Sequence, residues 1–489
     1  AVREGQMLTE EAQERLTRLG EGTPMGELMR RYWIPGRPLS QLQEQEIMPI
    51  RILGEDLVLF ITKKGELGLI GERCPHRKAM MKYGIPDEDG IRCCYHGWEF
   101  APDGQCIDTP LESPTNKLKD QIKIPSYPVR EMGVLGWDYM GPPPVPVLAP
   151  WCLLVSPNPI RQTGISILAC HWLQCHENTG DPAHSVYLHG YTFKYMLEKN
   201  GDLDERTKDR QMSTLQNRIN MGRGIESLYA HETQYGMEKG INYSKALGAD
   251  KDRQSRHSTV IFPFYTQTGG PGQVRQEFQI RVPIDDISTY HIAYGCYTAP
   301  DAVPAPLQDS IPYYDIPIFD EDGKPIWDFV LAQDAHAWVS QGQIYDRTEE
   351  QLGRTDLPIV FMRRQFEEQM RIVEDGGDPK NVFRDPISMP DLIHGGIWDE
   401  NNSSVTGAGG AIANFRSAYH KGYGIDDADR YGPAMPDIID LMQRIDDHSA
   451  ALSSDENVIG FGIAPDSGIA ANGYSDLGLF TSGLYNPDC

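Results

Sequence analysis

No stretch of the 489-residue chain is apolar for the about 18 positions that a helix needs to cross a bilayer, so no membrane-spanning helix is expected. Nor does an apolar core follow a basic start in Ala1-Val2-Arg3-Glu4-Gly5, and no secretory leader is read there. Positive charge is scarce: 45 Lys and Arg stand against 70 Asp and Glu, a net charge of −25. That balance argues against nucleic acid and anionic membrane as partners, because both would be repelled. It does not exclude an acidic small molecule, since one local Arg can dominate a pocket. Nine cysteines occur, an odd number, but without regular spacing, so no disulfide framework is expected. Free thiols and metal-binding cysteines suit a reducing compartment, and the cytoplasm is the expected location. No internal repeat is found.

What is present begins as ordinary soluble-globular composition, 39% hydrophobic and 24% charged, in a chain long enough for two or three domains with cores. The chemistry starts at Cys74-Pro75-His76-Arg77 and Cys93-Cys94-Tyr95-His96-Gly97-Trp98, with sixteen residues, 77–92, between them. Two thiolates and two imidazoles in two close pairs are a metal site by ligand chemistry. Zinc is the usual metal for two Cys and two His, but its pairs ordinarily join like with like. Here each pair is mixed. A Rieske [2Fe–2S] centre needs two Cys on one iron and two His on the other, and two loops each giving one of each can supply that. The mixed pairs favour the two-iron centre over a structural zinc. Cys94 alternates away from its neighbour in an extended segment and is read as a buried bystander.

Around this motif the chain divides by its periodicity. Residues 8–33 read as two helices, the second opened by Thr23 as N-cap and Pro24 at the first helical position. From about Glu46 to Pro128 the period shifts to two, with turn signals at Gly54-Glu55, Lys64-Gly65 and Asp103-Gly104, which implies a small β domain with the Cys/His loops at its tip. The run Gly141-Pro142-Pro143-Pro144-Val145-Pro146 marks a linker or domain edge. Beyond it, to about residue 380, strands are expected to alternate with helices; 279–283 and 289–294 read as partner strands across an Asp285-Asp286 turn, and 365–374 as helical. The Ser- and Gly-rich run 403–410 resists a packed element, and only about 436–447 looks helical in the last hundred residues. The boundaries read this way are 1–44, N-terminal helices; 45–150, the Cys/His β domain; 151–390, a larger domain; and 391–489, a C-terminal extension that either wraps a neighbouring subunit or forms a surface arm.

A second constellation lies in Asp181-Pro182-Ala183-His184-Ser185-Val186-Tyr187-Leu188-His189. Two His, one carboxylate and open positions form the facial triad of non-heme Fe(II) oxygenases. Five residues apart, the two His lie about 140° apart on a regular helix, so both face one metal only where the helix is widened. A π-type irregularity is therefore expected there. A lone His is more often buried structure or surface, and nearby His171 and His176 are read as non-ligands. The third ligand comes from far along the chain, where Asp328, Asp334, Asp346 and Asp356 are all available.

With these residues quoted, the chain resembles the terminal oxygenase (alpha) component of Rieske non-heme iron aromatic oxygenases, of the phthalate dioxygenase and aryl O-demethylase type. The resemblance implies an α+β fold: a Rieske [2Fe–2S] β domain joined to a catalytic domain with a central antiparallel sheet. It implies a cluster on Cys74, His76, Cys93 and His96, and a mononuclear Fe(II) on His184, His189 and, from the segment Gln333-Asp334-Ala335-His336-Ala337-Trp338, Asp334. It gives Asp181 a bridging role, bonded to His184 on one side and to a cluster histidine, His76 or His96, of a neighbouring subunit on the other, within a homotrimer or stacked hexamer. The same Asp is also a suitable N-cap. The implied electron donor is an NAD(P)H-dependent flavin and iron–sulfur reductase, directly or through a ferredoxin. The implied reaction is hydroxylation or O-demethylation of a small aromatic compound, an aromatic carboxylate, with O2; cis-dihydroxylation is the alternative. Two positions depart from the family pattern: Lys78, more often Gly, and His171, more often Asn. Residues 186–196 and the arginines Arg206, Arg210, Arg218 and Arg223 are available to line the substrate pocket. A Rieske electron carrier without oxygenase activity would leave the second constellation unexplained, and a zinc-stabilised binding protein would be redox-silent.

Overall fold

The computed structural model describes residues 8–113, 115–156, 159–200, 222–244, 255–268, 275–298, 303–385 and 432–454, with isolated positions between 212 and 220. Among the described residues no helix is long and apolar enough to cross a membrane.

Thr9 and Thr23 open the first two helices, Glu10–Thr17 and Pro24–Met29, by accepting the amides of Ala12 at 3.1 Å and Gly26 at 3.2 Å. The second helix stops short of the expected Trp33. Pro35 cannot continue it, and Trp33–Pro38 instead forms a strand antiparallel to Leu135–Tyr139, with a register shift between its two prolines. Trp33 is buried there, and its indole N–H donates to the Pro146 carbonyl at 3.0 Å, which pins the proline-rich segment. The helix Leu39–Gln45 that follows went unread in the sequence.

The small β domain consists of two four-stranded sheets. One pairs Ile47–Ile52, Glu55–Ile61, Leu67–Gly71 and Ser126–Tyr127; the other pairs Ile85–Pro86, Ile91–Arg92, Glu99–Phe100 and Cys106–Asp108. Alternation buries Met48, Ile50 and Ile52 on one face of the first strand. Val58, Phe60 and Ile70 meet Ile91 and Phe100 from the second sheet in one core, and Cys74 and Cys93 lie at its end. The metal-bearing loops therefore grow directly out of packed strands.

The larger domain is built on an eight-stranded sheet in the order Ile225–Thr233, Gly236–Tyr243, Ser255–Ile261, Tyr265–Thr268, Arg275–Asp285, Ser288–Tyr297, Ile160–Leu168, Tyr313–Asp315. All neighbours are antiparallel except the last pair. Strands and helices do not alternate as the sequence suggested. Six strands follow one another between 225 and 297, because connections as short as Asp285-Asp286 can join only antiparallel neighbours. Helices before and after this run cover the sheet: Trp172–Gly180, Val330–Ser340 and Leu357–Glu374, with Trp172, Phe366 and Met370 sharing a core with Phe262, Phe264 and Phe278. The helix expected over 436–447 runs from Met435 to Ser454. Its Ile438, Leu441, Met442 and Ile445 pack on Ile160, Tyr297 and Val303, so this part of the extension covers its own chain's sheet. The run 403–410 lies outside the described residues.

Candidate metal centres

The two Cys/His loops are the same turn made twice. Cys74 N–H donates to the Ala79 carbonyl at 2.9 Å and the Cys74 carbonyl accepts from Lys78 at 2.9 Å; Cys93 N–H donates to Trp98 at 2.8 Å and its carbonyl accepts from Gly97 at 3.0 Å. The fifth residue of each turn is left-handed, Lys78 with φ 63° and Gly97 with φ 74°. Both thiols point into the core, whereas His76 is exposed and His96 half-buried, their rings 4.5 Å apart. The Trp98 indole stacks on His76 at 4.3 Å and 6°. Burial pushes the Cys74 thiol up to about 11, with the adjacent Cys93 adding to it, a cost that a bound cation removes. Thiols inside and imidazoles outside fit a two-iron cluster with its histidine iron at the surface. Cys94 is exposed, not buried: residues 93–97 form a tight turn rather than an extended segment, so alternation does not apply.

In the larger domain, donor atoms of His184, His189 and Asp334 all lie within 4.8 Å of one another. The helix carrying the two histidines begins as α at His184–Val186, widens to a π-helical stretch over Tyr187–Thr192, and resumes as α at Phe193. The widening turns both rings inward, with centroids 5.1 Å apart and planes at 80°. Asp334 arrives on the Val330–Ser340 helix, its Oδ1 3.2 Å from His189 Nε2 and 3.7 Å from His184 Nε2.

The protons on these rings follow from their outer partners. Gln333 donates its amide N–H to the Trp327 carbonyl at 2.6 Å, which turns its Oε1 toward His189 Nδ1 at 2.9 Å. His184 Nδ1 lies 2.5 Å from the Asp181 carbonyl, which can only accept. Each Nδ1 therefore faces an acceptor, and each Nε2 is turned toward Asp334. Burial keeps His184 neutral, and although burial alone would raise Asp334, the imidazoles and Arg281 outweigh it and the net shift is downward. Two imidazole Nε2 atoms and one buried carboxylate oxygen thus converge on one point. A divalent cation satisfies that arrangement, and two His with one carboxylate suit non-heme Fe(II).

Asp181 closes the turn before His184. Its Oδ1 accepts the amides of Ala183 at 2.7 Å and His184 at 3.3 Å, as an N-cap does. Toward the His184 ring it is the main-chain carbonyl that bonds; carboxylate Oδ2 stands 3.9 Å from Nδ1. Within the chain neither His76 nor His96 bonds to it. His171 is the buried N-cap of the Trp172–Gly180 helix and His176 packs on Trp172 and Phe366; neither joins the metal group. Asp346 and Asp356 serve local turns, and Asp328 is buried outside the group. Arg223 is exposed, and Arg206, Arg210 and Arg218 lie outside the described residues.

Two contributors were missed in the sequence. Gln333 is one, legible only as the neighbour of Asp334. Glu177 is the other: it is buried and pairs with Arg347 at 2.8 Å and Arg363 at 2.6 Å, while Arg363 also pairs with Glu350. Burial opposes its ionisation, but the two guanidinium groups win and bring Glu177 down to about 2. This network ties the helix leading into Asp181 to the Leu357–Glu374 helix.

A family model for the Rieske [2Fe-2S] domain matches residues 32–128. The chain is 36% identical to the 5,5'-dehydrodivanillate O-demethylase oxygenase subunit of Sphingobium sp., over 83% of this chain and 92% of that protein. It is 30% identical to the phenoxybenzoate dioxygenase subunit alpha of Ectopseudomonas oleovorans, over 80% and 93%. In fold it is similar to a variant of NdmA from Pseudomonas putida CBB5 solved with theobromine, at TM-score 0.51 and 16% identity, covering 74% of this chain and 97% of that one. A Rieske domain followed by a buried two-histidine, one-carboxylate site, in a chain this similar over nearly its relatives' full length, makes the protein a member of the Rieske non-heme iron oxygenases, as an oxygenase component with a [2Fe–2S] cluster and a mononuclear iron.

Proposed function

We propose that this oxygenase component hydroxylates or O-demethylates a small aromatic acid, with Cys74, His76, Cys93 and His96 holding the cluster and His184, His189 and Asp334 holding the iron. The observation that carries the reading is the convergence of two imidazole nitrogens and one carboxylate oxygen in a buried site. When bound, the cluster supplies single electrons and the iron supplies oxygen activation. Asp181 and Gln333 accept at Nδ1 of each ligand histidine and so turn each Nε2 toward Asp334, and the Glu177–Arg347–Arg363 network holds the helix that positions Asp181. Similarity to an O-demethylase oxygenase subunit at 36% identity favours attack on a methoxyl carbon, with cis-dihydroxylation as the second reading, favoured by the dioxygenase subunit at 30%.

The electron donor in this reading is an NAD(P)H-dependent flavin and iron–sulfur reductase, acting directly or through a ferredoxin in the cytoplasm. The oligomer is a head-to-tail homotrimer, alone or stacked as a hexamer. Exposed Tyr83, Ile85 and Tyr95 surround the cluster turns, and exposed Tyr187, Tyr191 and Tyr195 repeat every four residues along the iron-site helix; a second copy of the chain would cover both patches. The test is metal and sulfide analysis of anaerobically purified protein, followed by oxygen uptake with reductase and a panel of methoxybenzoates, phthalates and lignin-derived biaryls. About three irons and about two acid-labile sulfides per chain are expected. Formaldehyde release identifies demethylation and a cis-diol identifies the second reading; uptake with neither product from any aromatic acid overturns the substrate class.

A further inference from the structure

The sheet face turned toward the metal-site helices carries two buried cations, Lys239 and Arg281, that form no ion pair with a described residue. Register places them together. Met237 stands opposite Val260, Val260 opposite Thr266, and Thr266 opposite Gln279; Lys239 lies two residues beyond Met237 and Arg281 two beyond Gln279. Residues directly opposite, and residues two apart, share a face, so Lys239, Thr266 and Arg281 point to the same side. The Trp172–Gly180 helix covers that side, with Thr179 and Thr266 hydroxyls 2.9 Å apart. The Val330–Ser340 helix covers it too, with the Arg281 guanidinium 5.4 Å from the Trp338 ring. These two helices lead to Asp181 and His184 and carry Asp334.

Arg281 is 2% exposed and held only by neutral groups: Thr266 Oγ1 at 3.1 Å, the Gln279 carbonyl at 3.2 Å and Gln279 Oε1 at 2.6 Å. Its Nε is buried without a partner. Lys239 is 8% exposed, and its side chain makes no hydrogen bond or ion pair with any described residue. Burial lowers Lys239 to about 8, with Asp181 and Asp334 acting to raise it and Arg281 to lower it. A buried, unpaired charge costs several kcal/mol. With Asp334 given over to a metal ion, Asp181 is left as the carboxylate acting on Lys239 and Glu277 as the one acting on Arg281, neither of them in an ion pair with its cation. His291, opposite Arg281 on the next strand, adds a buried Nε2 without a partner.

We propose that Lys239, with Arg281 behind it, is an anion subsite that takes the carboxylate of the aromatic substrate and orients its ring against the His184–His189–Asp334 site. The proposal rests on the aromatic-acid reading above and adds the residues that select the acid. Arg281 is preorganised by Gln279 and Thr266, and Lys239 is the free donor. A hydrogen bond to a charged group contributes about 1.5–3 kcal/mol, about tenfold or more in affinity.

The experiment is isothermal titration calorimetry on the full-length, metal-loaded protein with phthalate, vanillate and 3-methoxybenzoate, each beside its methyl ester. Lys239→Met is expected to weaken the acids about tenfold or more and to leave the esters within about twofold. Lys239→Arg is expected to retain the preference for the acid. Should Lys239→Met fail to fold, Lys239→Gln read against Lys239→Arg carries the same comparison. Acids that bind the Met or Gln variant as tightly as the parent, or acids and esters that weaken alike, overturn the subsite. Parent protein that binds esters but no acids overturns the subsite and leaves an aromatic oxygenase standing. Parent protein that binds no aromatic probe removes the aromatic reading itself.

Discussion

His189 Nδ1 lies 2.9 Å from Oε1 of Gln333, the residue immediately before Asp334, so one helix supplies both a carboxylate to the metal group and the acceptor that fixes the tautomer of a histidine in it. The Gln333 amide is itself oriented by the Trp327 carbonyl at 2.6 Å. Outer partners of this kind typically change metal affinity about 10- to 100-fold. Gln333→Leu is therefore expected to lower affinity for the mononuclear iron by that factor while the cluster's visible absorbance stays at the parent value. Metal titration of the two proteins checks it, and equal iron affinities would show that His189 needs no such support.

The two cluster turns predict opposite responses to matched substitutions. Lys78 adopts a left-handed conformation that costs a non-glycine residue about 1–2 kcal/mol, part of which glycine returns as unfolded-state entropy. Lys78→Gly should raise stability by about 0.5–1 kcal/mol. At the equivalent Gly97 a Cβ would come within 2.9 Å of Pro110 Cγ, so Gly97→Ala should destabilise by more than that and perturb the cluster. Urea midpoints followed by cluster absorbance measure both. A destabilised Lys78→Gly would mean that the lysine side chain contributes more than its backbone costs.

Much of this architecture was legible beforehand, and what was not has physical causes. The irregular helix followed from two ligands five residues apart, which no regular helix can aim at one metal. Thr23-Pro24 marked a helix start because capping is local. The exposure of Cys94 was not legible, because alternation holds in strands and the segment is a turn closed by Gly97. The run of six strands was missed because hairpin partners declare themselves only through short connections, and periodicity alone does not order them. Gln333, Glu177 and Lys239 were silent for a further reason: an isolated polar residue acquires meaning only from the groups that folding brings to it across long sequence separations.

Acid should destabilise the protein well above the carboxylate range. His171, His176 and His291 are fully buried, and burial brings each down to about 3. An unfolded histidine titrates near 6.5, so below about that pH the unfolded chain binds protons that the folded one does not, and stability falls as pH falls from about 6.5 to 3. Each contributes at most about 2 kcal/mol of loss by pH 5. Glu177 acts in the same direction at lower pH, since its contribution is complete above about 4.5 and is lost toward about 2. Urea midpoints at pH 7.5 and 5 test this. His171→Asn keeps an N-cap acceptor and removes one titration, so its midpoint should fall less steeply; a parent midpoint flat between the two pH values would contradict neutral buried histidines.

Asp181 carries the prediction about electron transfer. Its Oδ1 is occupied by the Ala183 and His184 amides, and Oδ2 stands 3.9 Å from His184 Nδ1. No bond joins it to His76 or His96 of the same chain, although His76 is exposed at the surface of its domain. A second copy presenting its cluster histidines to that oxygen would complete the bridge. Asp181→Asn keeps an amide acceptor for the cap and removes the charge, and a charge-assisted hydrogen bond is about twice as strong as a neutral one. Turnover should therefore fall about tenfold or more while both metal sites stay loaded. Mixed oligomers distinguish the route. A Cys93→Ala chain lacks a working cluster and a His184→Ala chain lacks a working iron site, so neither turns over alone. Co-assembled, an intact cluster can face an intact iron across the interface, and part of the activity should return. Demonstrably mixed oligomers that remain inactive would confine the electron path to a single chain, and Asp181 would then be a helix cap alone.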